Sequence, residues 1–321
     1  MAYARAVARC EMCDVPHPGG VDACPERRTG EVFAGKYVVG PLLGCGGMAA
    51  VYAAHHRVLR REIAVKVIHR RFAVDTELSA RFVREARETA ALGHPAFVAV
   101  YDAGTTEDGC AFIEMDRLSG QDLYSLRKAE GMLAPERAIR LTAAVLAGLE
   151  VLHARGVVHR DIKSSNIFVM TGPDGSEQVK LLDLGFAKVD DGVKLTTRNQ
   201  LLGTPFYISP EQAIDPTAVD ERSDLYSMGV VLFEVLTGKW PYDFASKREL
   251  LGKVMKGELE RHPARHRPEL PGWLDLAVAK ALSHDRAQRF ASAAEMREAL
   301  ERPGRSRGPT KPGLLRRILG R

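Results

Sequence analysis

His159-Arg160-Asp161-Ile162-Lys163-Ser164-Ser165-Asn166 places a carboxylate, an amine and a carboxamide within one short stretch. Asp183-Leu184-Gly185 follows, at the end of an apolar run from Val179 to Leu182. A carboxylate beside an acceptor hydroxyl can take its proton, and carboxylate and carboxamide oxygens suit magnesium. Asp161 fits the first task, and Asn166 with Asp183 the second. Lys163 could offset charge on a group in transfer. A polar helix–strand turn needs no such set, and a lone Asp-x-Gly is common in turns. The combination at this spacing suits movement of a phosphoryl group.

Working outward, the order of elements divides the chain. Strand-like runs occur at Tyr37-Val38-Val39, Val51 to Ala54 and Ile63 to Ile68. A helix is expected over Thr76 to Leu92, with Thr76 as N-cap and Gly93 and Pro95 closing it. Leu78, Phe82 and Glu85 share one of its faces, so Glu85 points inward and needs a cationic partner. Two more strands are expected near Phe97 to Tyr101 and Cys110 to Met115. Helices dominate after Leu118. Pro135 to Ala154 carries an apolar stripe. Asp224 to Thr237 is apolar almost all round and therefore buried, with Ser223 to cap it and Gly238 to end it. Ser292-Ala293-Ala294-Glu295 opens a last helix, stopped by Pro303.

Two further motifs lie in the strand-rich part. Leu43-Gly44-Cys45-Gly46-Gly47-Met48-Ala49-Ala50-Val51 is glycine-rich and flanked by strand signals. It could be a tight hairpin, or a loop whose N–H groups approach phosphate. On the second reading, oxidation of Cys45 would crowd the phosphates. Strand signals rather than a helix follow the stretch, which fits the dinucleotide fingerprint poorly. Lys66 lies among β-branched residues, facing solvent or a cleft. Glu85 favours the cleft, because it supplies a partner that would hold Lys66 toward phosphates.

These motifs, in this order, resemble the eukaryotic-type protein kinase family, in the form of bacterial serine/threonine kinases, over roughly residues 36 to 301. The resemblance implies an α+β bilobal fold: an antiparallel-sheet N-lobe with one main helix, and a mainly helical C-lobe. The N-lobe and hinge would span 36–118 and the C-lobe 119–301. ATP contacts would come from residues 43 to 51, Ala64, Lys66, Met115 as gatekeeper, Asp116 and Leu118 in the hinge, and Phe168. Lys66 and Glu85 would form an ion pair. Asp161 would accept the proton, with Lys163 beside it. Asn166 and Asp183 would hold magnesium, with manganese able to stand in. His159, Arg160, Asp224 and a Glu211–Arg289 pair would be structural. Lys163, and Gly203-Thr204 before Ser209-Pro210-Glu211, resemble serine/threonine rather than tyrosine kinases. Thr196, Thr197 and Thr204 belong to the implied activation segment. Thr196 and Thr197 are the candidates for self-phosphorylation, where a phosphate could meet Arg160; two solvated loop threonines is the plainer alternative.

Departures from the pattern are Ala49 for a third glycine, Leu184 for Phe, Ser209 for Ala, and Arg117 in the hinge. None removes a charge that transfer requires. A kinase-like scaffold that binds nucleotide and partners without transfer is the alternative reading, and a small-molecule kinase a weaker one.

Composition sets outer bounds. The 321 residues, 45% hydrophobic and 27% charged, are ordinary for a globular chain. The net charge of +5 owes much to a basic tail over 302–321. That tail reads as solvated, with weak contact to an anionic membrane surface a lesser alternative and nucleic acid not expected. No run of eighteen apolar residues exists and no secretory signal is evident, so a cytoplasmic protein is expected. The expected partners are protein substrates and a transient homodimer for phosphorylation in trans. Five cysteines without a framework favour a reducing compartment. Residues 1–30 read as a flexible leader. Within it Cys10-x-x-Cys13 has zinc-knuckle spacing, Cys24 is a third thiol and His17 a candidate fourth ligand. Arg27 sits where a second C-x-x-C would end, and a loose leader with unligated thiols is the plainer reading.

Overall fold

Short runs rich in apolar residues, most of them buried, build the first sheet. Its strands are β1 (Val32–Phe33), β2 (Tyr37–Cys45), β3 (Ala49–His56) and β4 (Arg61–Ile68); after helix α1 (Thr76–Leu92) come β5 (Val100–Thr105) and β6 (Ala111–Met115). All neighbours are antiparallel, in the order β1-β2-β3-β4-β6-β5. The computed structural model describes residues 10, 12, 13, 24, 26–184 and 205–303.

Strand register assigns each side chain a face. Val51 lies opposite Lys66, and Lys66 opposite Ile113. Side chains directly opposite share a face. That face carries Ala49, Ile68 and Ile113, and packs on Phe82 and Ala86 of α1. The other face carries Tyr37, Tyr52, Val65, Val67 and Phe112.

The second half is mainly helical. In chain order it holds β7 (Gln121–Asp122), α2 (Leu123–Glu130), α3 (Pro135–His153), β8 (Ile167–Thr171), β9 (Glu177–Leu181), α4 (Pro210–Ile214), α5 (Glu221–Thr237), α6 (Lys247–Lys256), α7 (Gly272–Ala281) and α8 (Ala293–Glu301). Every residue of α5 from Ser223 to Thr237 is buried, as its all-round apolar character requires. β7-β8-β9 form a small antiparallel sheet over this core.

The two parts are stitched near the cleft. Phe97 bridges Leu181, Leu181 N–H donates to Ala96 O at 2.7 Å, and Lys180 Nζ donates to Phe97 O at 3.1 Å. A Cβ at Gly148 of α3 would stand 2.8 Å from the Ala96 Cβ, so glycine lets this crossing pass close to the helix. Arg155 donates to the α1 carbonyls of Ala91 (2.8 Å) and Leu92 (3.2 Å).

Several expectations shift. Asp75, not Thr76, caps α1: its Oδ1 accepts from Leu78 N–H at 2.9 Å. The strand expected from Phe97 starts at Val100, because Phe97 is drawn to Leu181 instead. α5 starts at Glu221 under an Asp220 cap, and Ser223 lies inside it with its hydroxyl on Glu211 at 2.6 Å. The described part of the leader is not loose. Cys10, Met12 and Cys24 are buried against Phe33, Tyr37 and Tyr52 on the sheet. His17, Gly185, Thr196, Thr197, Gly203, Thr204 and the tail from 304 lie outside the described residues.

Candidate active site

The cleft is lined from above by β2–β4. Gly44 pairs with Val51 and Cys45 with Ala50 across the β2–β3 turn, with irregular register from Val39 to Gly44. Gly46 N–H closes the turn on Ala49 O at 2.9 Å. A Cβ added at Gly44 would meet nothing within 4 Å, so internal packing does not demand glycine there. Open space beside a glycine turn lets a polyphosphate come close to the backbone.

Leu43 and Met48 flank the turn, with Gly47 held through its carbonyl by Arg71. Lys66, Ala64, Val51 and Met115 share the cleft-side face by register. Ala50 and Cys45 do not. Both belong to the opposite face, packed with Tyr52 and Val67. The strand alternation therefore leaves only their backbone for a nucleotide. It also corrects the expectation that an oxidised Cys45 would crowd phosphates.

The hinge follows β6 directly. Asp116 N–H donates to Ala99 O at 3.0 Å, and Arg117 pairs with Glu62 of β4 at 2.8 Å. Arg117 thus points to the start of β4, and Leu118 follows it half-buried. Phe168 of β8 faces away from its buried neighbours Ile167 and Val169.

The lower wall rests on Asp224. This residue is buried, at 1% exposure, and accepts three hydrogen bonds at 2.8 Å: from His153 Nε2, His159 N–H and Arg160 N–H. Arg160 is thereby held at φ 62°, a left-handed conformation costly for a non-glycine residue. Gln212, reciprocally capped with Ser209 at the start of α4, donates to Arg160 O at 3.0 Å.

That bend delivers Asp161 to the cleft. Its Oδ2 accepts from Lys163 Nζ at 3.0 Å and from Asn166 Nδ2 at 3.1 Å. Asn166 also donates to Asp161 O at 2.9 Å. With its nitrogen so used, the Asn166 carboxamide oxygen is the atom left for a cation. Asn166 O accepts from Leu182 N–H at 2.9 Å, which ties the loop to the residue before Asp183.

The expected Lys66–Glu85 pair is not formed. Lys66 Nζ lies 2.5 Å from Asp183 Oδ1. Asp183 has φ 51°, and this turn carries its carboxylate to Lys66. Burial works to discharge Lys66, but the carboxylates of Asp183, Glu85 and Asp161 outweigh it and raise its pKa. Partial shielding from water disfavours the Asp183 anion, yet the Lys66 ammonium holds its pKa below the usual carboxylate range. Glu85 is buried on α1. Burial, with Asp183 and Asp161 nearby, pushes it up to about 7 against the pull of Lys66.

Below the loop lies a polar network that sequence reasoning missed. Ser164 Oγ meets Tyr207 OH at 2.8 Å, and Tyr207 OH donates to Glu234 Oε2 at 2.7 Å. Arg127 donates to Glu234 Oε1 at 3.2 Å. The available signal was Glu234 itself, a carboxylate inside an otherwise apolar helix. The Glu211–Arg289 pair is present and bidentate, at 2.7 and 2.9 Å.

The donors fit the implied cation. Asp183 and Asn166 offer hard oxygens, the ligand class of magnesium. The arrangement brings the Asp161 and Asp183 carboxylates, the Lys66 and Lys163 ammonium groups and the Asn166 carboxamide into a single crevice, under a turn that leaves room for phosphates.

Comparison with known proteins agrees. Residues 37–303 match the family model described as protein kinase domain. The chain belongs to the protein kinase family. Its kinase fold has an antiparallel N-lobe sheet and a helical C-lobe. It is 40% identical over 276 residues to a probable serine/threonine-protein kinase, SCO3848, of Streptomyces coelicolor, covering 84% of this chain and 40% of that protein. It is 38% identical over 285 residues to the serine/threonine-protein kinase PknB of Mycobacterium tuberculosis, covering 87% and 45%. The crystal structure of the Mycobacterium tuberculosis PknI kinase domain, in a double-mutant form, superposes with a TM-score of 0.67. It is 28% identical, with 85% of this chain and 97% of that one covered. The chain spans about half the length, or less, of these curated relatives. Among the described residues no helix is long and apolar enough to cross a membrane.

Proposed function

We propose that this kinase chain transfers the γ-phosphoryl group of ATP to serine or threonine hydroxyls of proteins. The observation that carries the reading is Asp161. Lys163 and Asn166 hold its carboxylate in the same crevice as the Lys66–Asp183 pair. The relatives named as serine/threonine kinases support the choice of acceptor.

The acceptor oxygen forms a bond to the γ-phosphorus as the bond to the β-bridging oxygen breaks, and ADP leaves. The hydroxyl proton passes to Asp161. Lys163, beside Asp161, offsets charge on the transferred group. Lys66 addresses the α- and β-phosphates, and the turn from Gly44 to Gly47 covers them. Asp183 and Asn166 would hold magnesium or manganese, which neutralises phosphate charge when bound. Ala64, Met115 and the 116–118 segment form the wall against adenine, with Phe168 opposite.

Self-phosphorylation at Thr196 or Thr197, through a transient homodimer, belongs to the same proposal, as does a cytoplasmic location with ATP at hand. Zinc has no role in transfer on this reading.

The test is mass spectrometry of the chain and a generic protein substrate after incubation with ATP and magnesium. Phosphoserine or phosphothreonine, lost in Asp161→Asn while nucleotide still raises the melting temperature, is the expected result. Nucleotide binding with no transfer to any substrate would leave a scaffold instead.

A further inference from the structure

Cys10, Cys13 and Cys24 take no part in the cleft. Among the described residues they form a cluster of metal-ligating side chains whose sulfurs all lie within 4.8 Å of one another. A tetrahedral zinc about 2.3 Å from each sulfur sets thiolates roughly 3.8 Å apart, inside that limit. No disulfide competes, because none of the three is oxidised to one.

The backbone around them points N–H groups at sulfur. Cys10 accepts hydrogen bonds from the N–H groups of Met12 and Cys13, and Cys24 from that of Glu26. In both turns the cysteine receives the N–H of the residue two positions on. These N–H groups point at the sulfurs, the atoms that would bind metal. Arg27 N–H closes the second turn on Cys24 O at 3.0 Å. Two turns well separated in sequence thus present sulfur toward one point.

The cluster is also fastened to the N-lobe. Tyr52 OH of β3 donates to Met12 Sδ at 3.8 Å and accepts from Arg28 N–H at 3.4 Å. Arg28 is buried and binds Asp108 through both terminal nitrogens, at 3.2 and 2.9 Å. Cys10 and Cys24 pack beside Tyr52 and Val67, on the sheet face opposite α1, where Cys45 also packs.

We propose that Cys10, Cys13 and Cys24 bind one zinc ion, and that this centre pins the N-terminal segment to the sheet directly behind the strands carrying Gly44 to Val51. Thiolates select zinc, while the cleft oxygens select magnesium, so the two sites do not compete. Three protein sulfurs leave a fourth position to water or a further side chain.

The full chain, purified under reducing conditions with zinc supplied, is analysed for metal by mass spectrometry. Separately, cobalt is added to the stripped chain. One zinc per chain is expected, with an intense sulfur-to-cobalt absorption in the near ultraviolet. Cys13→Ser should hold less than about 0.2 zinc per chain, and Cys45→Ser should hold as much as wild type. A strong chelator should lower the wild-type melting temperature and leave that of Cys13→Ser unmoved. Cys13 is the half-buried member, and the cobalt spectrum needs no variant, so misfolding of a buried-site variant does not spoil the test. Three results overturn the proposal: a wild-type chain without metal when zinc is supplied, full metal in Cys13→Ser, or a native disulfide within the trio.

Discussion

Glu211→Gln removes one charge from the buried pair with Arg289 and keeps its shape. Arg289 is fully buried and Glu211 nearly so, with side-chain exposures of 0% and 12%. Burial raises the Glu211 pKa, but the Arg289 guanidinium and Ser223 hydroxyl bring it from 4.5 down to about 2. That depression corresponds to about 3 kcal/mol of stability at neutral pH. It is fully present above the unfolded value of 4.5 and lost as pH falls toward 2. In Glu211→Gln the amide NH2 confronts a guanidinium donor. Arg289 keeps the carbonyls of Ser283, His284 and Arg222, so its charge is not wholly stranded. The expected cost is therefore near 3 kcal/mol, toward the low end for a broken buried pair, or about 6–12 °C in melting temperature. Denaturant unfolding of both proteins reads it directly. The gap should shrink to roughly half by pH 3 as the wild-type carboxylate protonates. A gap below about 0.5 kcal/mol at pH 7, or one that stays constant down to pH 3, would refute the reasoning.

Asp161→Asn should cut phosphoryl transfer by at least about 100-fold with nucleotide affinity within threefold of wild type, read by steady-state assay and by calorimetric titration. Lys66→Met should instead weaken nucleotide binding as well as transfer, so equal affinity for ATP in wild type and variant counts against its phosphate contact. Asp224→Asn presents an amide group to donors that now meet only carboxylate oxygen; a loss of about 3 kcal/mol or more in unfolding free energy is expected. Glu85 has a folded pKa raised from 4.5 to about 7, so its ionisation costs stability as pH rises through that interval. Glu85→Gln should flatten the fall in stability between pH 5 and pH 8, measured by thermal unfolding, and a variant with the wild-type slope would show that another group titrates there.

Much of the cleft was legible because each of its groups sits at fixed spacing from a chain feature that folding must respect. Asp161 and Asn166 lie within one short loop. Asp183 follows an apolar strand, and Asp224 lies in the first turns of a helix too apolar to be exposed. The faces of Ala50 and Cys45 were not legible. They depend on strand register across a turn with irregular pairing, and a slip of one residue reverses every side chain. The choice between Asp75 and Thr76 as cap was a choice between two competent side chains, decided by backbone angles the sequence does not carry. The partner of Lys66 was hidden for a similar reason. Two carboxylates compete for it, and the left-handed backbone of Asp183 settles the contest. The packed leader was least legible, since Cys10, Met12 and Cys24 follow no helical or strand period and come together only on the folded sheet, beside Tyr52.

Arg155 grips the last carbonyls of α1 from the lower part, at Ala91 and Leu92. One end of that rod is therefore anchored while Glu85 rides about seven residues away, about 10 Å along its axis. A lever of that length converts a tilt of about ten degrees into a sweep of roughly 2 Å at the carboxylate. Exchange of Lys66 between its two acidic suitors would pivot this strut about a fixed fulcrum and slide Phe82 and Ala86 along the sheet.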